Sequence, residues 1–315
     1  MQYHIIDGNY QVNRSVYADK ENLSTVDTDS GETVYTGGAY YYLRMINMIK
    51  KELSTIKNEH IIVVFDGDRR CKRRLDLYPD YKKRKVKEMT EAQQEQKKLD
   101  ELKFKTTFSI LKELLPAMGV TVISHTDMEA DDVIYALTRD NEHTYKVYSD
   151  DEDYLQMIKG NVKVFKLIKG VLYTEDVFKE EYGYHHSFLP LYKSLLGDPS
   201  DNISGVKGVG KVRAATIVKD LDKKFGIYEP GFEVSELEKL VEHETAKWAS
   251  TLVAGLPIVE RNLQLIDLNN ISEDIHDFAR KSFEERGSES SLVESKQMLK
   301  YYGFKSLYSL IAELM

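Results

Sequence analysis

Four carboxylates stand in a row in YSDDEDYLQMIKG (Asp150, Asp151, Glu152, Asp153), directly after a β-prone run. Other β-prone runs end in the same way. Asp7 closes HIID, Asp66 and Asp68 close HIIVVFD and its turn, and Glu129, Asp131 and Asp132 follow GVTVIS. A single acid at a strand end is ordinarily a turn former or a helix N-cap. Four acidic strand ends in succession need another reason. In an open α/β sheet, ligands bind in the crevice beyond the carboxyl ends of the strands. Two carboxylates about 4 Å apart repel by about 4 kcal/mol at an effective dielectric near 20. A converging cluster therefore needs cations, and an all-oxygen donor set selects a hard ion such as Mg²⁺ or Mn²⁺.

A second constellation lies further along, in LLGDPSDNISGVKGVGKVR (195–213). Its glycines, Gly205, Gly208 and Gly210, separate two helix-prone segments and allow backbone amides to approach a phosphate, with Lys207, Lys211 and Arg213 supplying charge. GDPSDN adds Asp198 and Asp201, three residues apart, which one helical face could aim at the acidic cluster. A third feature is basic. Between Arg69 and Lys87 the chain carries ten Lys or Arg against Asp76 and Asp80, although the whole protein has a net charge of −8. Such a window attracts a polyanion, even though many basic runs are simply solvated faces.

The elements that must hold these residues read as an α/β domain with a mostly parallel sheet. Strands are expected at 4–7, 60–66, 119–124 and 145–149, with 161–168 at the edge. After a loop containing Gly31, Gly37 and Gly38, helical periodicity covers 39–56. Further helices are expected over about 88–115 and 129–140, and the pattern is helical from about 187 onward. This divides the chain into an α/β core (1–186) that includes a basic helical arch (about 69–115), a duplex-binding region (187–225) and a mainly helical C-terminal region (226–315).

Composition excludes several classes. No apolar run reaches the roughly 18 residues that span a membrane, and the N-terminus lacks a signal-peptide profile. Cys71 is the single cysteine, which rules out an intrachain disulfide and a Cys-based zinc site and makes a reducing cytoplasm the natural compartment.

IIDGN, VVFDGD, LYPDYKKRK, EADDVIYAL, DDEDYLQMI and LGDPSDNISGVKGVGKVRAATIV occur in one order that resembles the flap endonuclease and 5′-nuclease family. That family includes bacteriophage enzymes and the 5′-nuclease domains of bacterial DNA polymerases, and the resemblance covers roughly residues 4–220. YYGFKSL (301–307) is a weaker echo of its C-terminal end. The resemblance implies a PIN-like α/β fold with a helical arch and a helix-three-turn-helix motif. It implies two or more divalent ions held by Asp7, Asp66, Glu129, Asp131, Asp132, Asp151, Asp153, Asp198 and Asp201, with Asp150 one residue out of register. Lys82 matches the family's basic arch residue. Lys85, beside Arg84, falls on the second arch position, and Arg14 on a basic position near the scissile phosphate. The glycine hairpin would grip duplex backbone and can hold K⁺. Arg74, Tyr81, Lys83 and Arg84 would face nucleic acid, with Tyr81 or a tyrosine at 40–42 able to stack on an unpaired base.

The expected chemistry is metal-assisted phosphodiester hydrolysis near 5′ ends of branched or nicked DNA, specific for structure and weakened by salt. The expected state is a stand-alone monomer, phage-encoded and acting in a host cytoplasm beside replication proteins. One alternative is ribonuclease H-type removal of RNA–DNA primers. Another is a haloacid-dehalogenase-like phosphatase, whose nucleophile loop FDGD resembles, although Arg70 stands where that loop carries Thr or Val. A catalytically silent junction binder is the last, and no carboxylate of the set is missing as it would require.

Overall fold

A computed structural model describes residues 1–19, 24–27, 33–53, 59–83, 89–228, 232–285 and 291–309. The arch residues Arg84 and Lys85 lie outside the described residues. In chain order the elements are β1 (Gln2–Asp7), α1 (Gly8–Ala18), β2 (Thr25–Asp27), β3 (Thr33–Tyr35), α2 (Gly37–Leu53), β4 (Glu59–Phe65), α3 (Lys72–Leu77), α4 (Glu91–Ala117), β5 (Thr121–Ser124), α5 (Ala130–Leu137), β6 (Thr144–Tyr148), β7 (Val162–Lys166), β8 (Val171–Tyr173), α6 (Glu175–Tyr182), α7 (Leu189–Leu196), β9 (Gly197–Asp198), β10 (Ile203–Ser204), α8 (Lys211–Phe225), α9 (Ser235–Leu240), α10 (Lys247–Ala254), α11 (Leu256–Ile266), α12 (Glu273–Glu284) and α13 (Leu292–Tyr301).

The central sheet has the order β5-β4-β1-β6-β7-β8. All neighbours are parallel except β7 and β8. The chain steps outward from β1 through β4 to β5 and then returns to β1's other side with β6. That reversal sets the carboxyl ends of β4, β1 and β6 around one crevice. Side-chain alternation splits the interior into two layers. Ile5, Ile62, Val64 and Val147 join one apolar core with α5, α7, α8 and α12. Ile6, Val63, Phe65 and Tyr148 join the other with α1, α2 and α4.

Several expectations are corrected here. VKVFK does not form the edge, because β8 (VLY) pairs outside it. The helix 8–18 was not anticipated, since its polar first turn hides an apolar face of Val12 and Val16. Gly37 and Gly38 open α2 instead of ending a loop. A Cβ at Gly37 would lie 2.0 Å from the Asp19 carboxylate and one at Gly38 2.3 Å from Thr107 Oγ1, so both are glycines of close approach. The C-terminal helices also share the core: α12 packs on α5, α11 on α7 and α13 on α4.

No helix among the described residues is long and apolar enough to cross a membrane. Ile5, fully buried on the central strand, tests this architecture. Ile5→Ala should lower unfolding free energy by about 2–5 kcal/mol in a denaturant titration. A loss under about 1 kcal/mol would mean that β1 is not the packed centre of the sheet.

Candidate metal centre and nucleic-acid face

Each carboxylate reaches the crevice for a local reason. Asp7 ends β1 and caps α1, its Oδ1 accepting from the Tyr10 amide at 3.1 Å while Oδ2 accepts from Ser149 Oγ at 3.1 Å. Asp66 follows β4 and caps a helix from another segment, accepting the Ala130 amide of α5 at 2.8 Å. That leaves Glu129, which precedes α5, without a capping bond and free to turn inward. Asp131 and Asp132 lie in the first turn of α5, where a helix N-terminus favours negative charge. Asp151 caps the short 3₁₀ turn Glu152–Met157 by accepting the Asp153 amide at 2.9 Å. Asp198 stands at the end of β9 and Asp201 in the turn between β9 and β10.

The nine carboxylates form one electrostatic unit. Burial first, and the charge of Asp66 second, push Asp7 up to about 7. Burial also raises Asp66, Asp132 and Asp153. Asp201 rises to about 6 because burial outweighs the pull of Lys82. Burial opposes ionisation of Asp131 and Asp198 too, but Arg74 and Lys82 hold Asp131 low and Lys193 holds Asp198 low. The basin is thus a set of oxygen donors held together against their own repulsion.

Among the described residues four side-chain cations do the holding, Arg73 lying 3.5 Å from Asp132 beside Arg74, Lys82 and Lys193. Arg74 is 2% exposed; its guanidinium pairs with Glu129, with Asp132 at 2.8 Å and with Asp131 at 3.2 Å, while Nε donates to the Leu265 carbonyl at 3.0 Å. Lys82 Nζ lies 2.7 Å from Glu129. Lys193 of α7 pairs with Asp153 and, at 2.9 Å, with Asp198. The donor set and its compensating cations fit divalent ions of the hard class.

These facts correct two expected nucleic-acid contacts. Arg74 is a buried counterion to the carboxylates and is unavailable to a duplex. Tyr81 is 2% exposed and its hydroxyl bonds Glu129 at 2.9 Å and Asp201 at 3.1 Å, so it cannot stack on a base. Tyr42 is fully buried as well, whereas Tyr40 and Tyr41 line a surface cleft with Arg14 and Arg44. Lys83 is exposed and paired with Asp80 at 2.8 Å. Arg14 lies on the rim 4.0 Å from Asp150, whose other oxygen accepts the Ile168 amide at 2.8 Å. Sequence reasoning missed Lys193 and Ser149; a lysine in an ordinary amphipathic helix carries no local signal, and Ser149 was masked by the acids that follow it.

The glycine hairpin joins α7 to α8 through β9 and β10, which pair antiparallel. A Cβ at Gly205 would sit 2.1 Å from the Leu196 carbonyl oxygen, so this glycine exists for backbone packing. Gly208 (φ +82°) and Gly210 instead open onto free space, and Gly210 caps α8 with no side-chain bond. Lys207 and Lys211 are exposed beside them. Arg213 donates to the Gly208 carbonyl at 2.7 Å and stacks 4.8 Å from the ring centre of Trp248, the single tryptophan of the chain.

Comparison with known proteins follows the same outline. The model of the 5′-3′ exonuclease N-terminal resolvase-like domain matches residues 2–183, more than half of the chain. The chain belongs to this family. A 5′-3′ exonuclease of Aquifex aeolicus is 29% identical over 290 residues, covering 89% of this chain and 92% of that protein. DNA polymerase I of Mycobacterium tuberculosis is 32% identical over 275 residues, but they amount to 27% of the polymerase and 84% of this chain. Among solved structures, the bacteriophage T5 D15 protein co-crystallised with metal ions superposes with a TM-score of 0.70 at 21% identity, covering 90% of this chain and 99% of that one. These relatives of the 5′-3′ exonuclease family favour an exonuclease reading over a ribonuclease H one.

Removing the buried counterion should expose the repulsion that it offsets. Arg74→Met should destabilise the metal-free protein by about 3–5 kcal/mol, and added Mg²⁺ should recover part of that loss in a thermal melt. An unchanged melting curve would mean that Arg74 carries no such role. The sign of the pH dependence follows from Asp7. Its native pKa of about 7 lies above the ordinary 3.8, so the native state holds the extra proton between those values. Stability from this group therefore falls as pH rises from about 4 to about 7 and stays at the lower level above that. Ion binding must displace the proton, so calorimetry in paired buffers should find more protons released near pH 6.5 than near pH 8.5. Equal release at both would contradict the raised pKa.

Proposed function

We propose that this chain is a structure-specific 5′-nuclease that hydrolyses phosphodiester bonds near the 5′ ends of branched or nicked DNA with Mg²⁺ or Mn²⁺. The observation that supports it is the convergence of nine carboxylates from four strand ends and the glycine hairpin, with Lys82 beside them. Asp7, Asp66, Glu129, Asp131, Asp132, Asp151, Asp153, Asp198 and Asp201 would hold the ions. When bound, such ions supply a water of lowered pKa and neutralise charge on the leaving oxygen.

The protein groups have their own tasks. Lys82 exchanges its ion pair with Glu129 for the scissile phosphate and offsets the charge that develops there. Arg14, on the same rim, adds a second positive group. Gly208, Gly210, Lys207, Lys211 and Arg213 take duplex phosphates about the open N-terminus of α8. Such contacts set register and orientation and carry no base information, which makes the enzyme specific for structure. A protein of the same fold supports the substrate class: a bacteriophage T5 D15 flap endonuclease, solved in complex with DNA and metal ions, superposes with a TM-score of 0.67 at 20% identity.

The deciding assay compares 5′-flap DNA, nicked duplex, RNA–DNA hybrid and a chromogenic phosphate ester with and without Mg²⁺. Flap and nicked DNA should be cut only with the ion. Cleavage of the ester alone would overturn the reading, and preference for the hybrid would restore the ribonuclease H alternative. Within this assay Lys82→Ala should slow cleavage at least tens-fold. Asp153→Asn should cost more activity than Asp150→Asn, because Asp150 is committed to the Ile168 amide. The reverse order would shift the ligand register by one.

A further inference from the structure

Among the described residues, two non-glycine residues have left-handed backbones, Lys82 (φ +52°) and Asn202 (φ +59°). They face each other across the site. The Lys82 amide donates to the Asp201 carbonyl at 2.9 Å, and the Asn202 side-chain amide donates back to the Asp80 carbonyl at 2.8 Å. Two bent segments, far apart in the chain, are thus pinned at adjacent residues. Left-handed non-glycine residues persist only where the surroundings over-determine them, and they collect at functional sites. Asn tolerates this conformation better than other side chains do, whereas Lys has no such preference. The strain at Lys82 is therefore imposed from outside its own turn.

Inside that turn, Tyr81 and Lys83 amides bond the Tyr78 and Asp80 carbonyls at 2.9 and 3.1 Å. Pro79, Asp80 and Lys83 are exposed, while Tyr81 is buried beside Ile203 and anchors the turn's other side through its hydroxyl bonds to Glu129 and Asp201. The Lys82 side chain is tethered to Glu129, but a phosphate that recruits its ammonium competes with that tether. The bonds from the Asp201–Asn202 segment do not compete with substrate. They can hold the turn while the lysine changes partner.

We propose that Asn202 is a positioning residue, which clamps the Asp80–Lys82 turn from the opposite loop and so fixes Lys82 over the carboxylates. This rests on the reading of Lys82 as the group that faces the scissile phosphate. Asn202 itself touches no reacting atom in this assignment.

Asn202→Gly keeps the left-handed backbone and removes the amide, and Asn202→Asp keeps the shape but sets an acceptor against the Asp80 carbonyl. In single-turnover cleavage of 5′-flap DNA with Mg²⁺, Asn202→Gly should slow the cutting step roughly tenfold or more, as sub-ångström to ångström misplacement does. Its affinity for the same DNA should stay within about twofold. In a Lys82→Ala background the same substitution should cost less than about twofold, because the group that it positions is gone. Equal losses in both backgrounds would overturn the proposal. Asn202→Asp should behave as Asn202→Gly does, and full activity in either would also overturn it. A second readout needs no activity: amide hydrogen exchange of a peptide spanning 77–83 should accelerate in both variants, and unchanged protection would remove the clamp. Should the wild-type protein cut no DNA, the nuclease reading falls, and exchange alone then decides whether the clamp exists.

Discussion

Repulsion among nine carboxylates, eight of them buried or half-buried and Asp151 exposed at the edge, is the constraint around which this protein is built. Carboxylates gathered in a shielded crevice cost up to several kcal/mol per close pair unless cations or hydrogen bonds offset them. The fold supplies both. Helix N-termini and capping amides take up Asp7, Asp66 and Asp151. Arg73, Arg74, Lys82 and Lys193 offset Glu129, Asp131, Asp132, Asp153 and Asp198, and Lys82 also draws on Asp201. Asp7 and Asp201 stay raised all the same, first by burial and then by neighbouring carboxylates, and a divalent ion would relieve both.

The brace for this arrangement comes from the C-terminal part of the chain. The last turn of α11 has carbonyls without helical partners. Those of Gln264, Leu265 and Ile266 accept from Arg73, Arg74 and Gln156. One turn earlier, Asn262 donates to the Ser194 and Ser204 carbonyls at 2.9 Å, tying α11 to α7 and the glycine hairpin. Arg261 stacks 4.4 Å from the ring of Tyr78, which ends α3. A single helix beyond the matched family region thus fixes the basic turn, the buried counterion and the hairpin relative to one another. Arg73 and Arg74 of α3 meet the C-terminus of α11, where the dipole favours cations.

Much of the sheet was legible because buried parallel strands are continuous apolar runs, and HIIVVFD or YKVYS can hardly be anything else. The shorter pieces were not. VLY is three residues long, and α1 begins with GNYQ, so neither reaches the length at which periodicity is decisive. The candidate ligands were legible through strand-end position and through motif order. Their partners were not, since Lys193 meets Asp153 across 40 residues of separation, and the Asn202–Asp80 contact spans 122.

By itself the sequence determined the chemistry on offer: hard oxygen donors at successive strand ends, a glycine hairpin beside basic residues, and a basic segment inside an acidic chain. Composition and local pattern suffice for that, because residue type and strand-end position are local properties. Only the tertiary structure decided which way each charge points. In the linear chain Arg74 and Lys83 are equivalent members of one basic window. In three dimensions one turns inward to a buried carboxylate triad and the other outward to water. That difference depends on α11 and α5 arriving beside residue 74, and long-range contacts of this kind leave no trace in residues 69–87. The DDED run is sorted in the same way: Asp153 meets Lys193 of a distant helix, Asp150 meets the Ile168 amide, and four like residues take different roles from what folds against them.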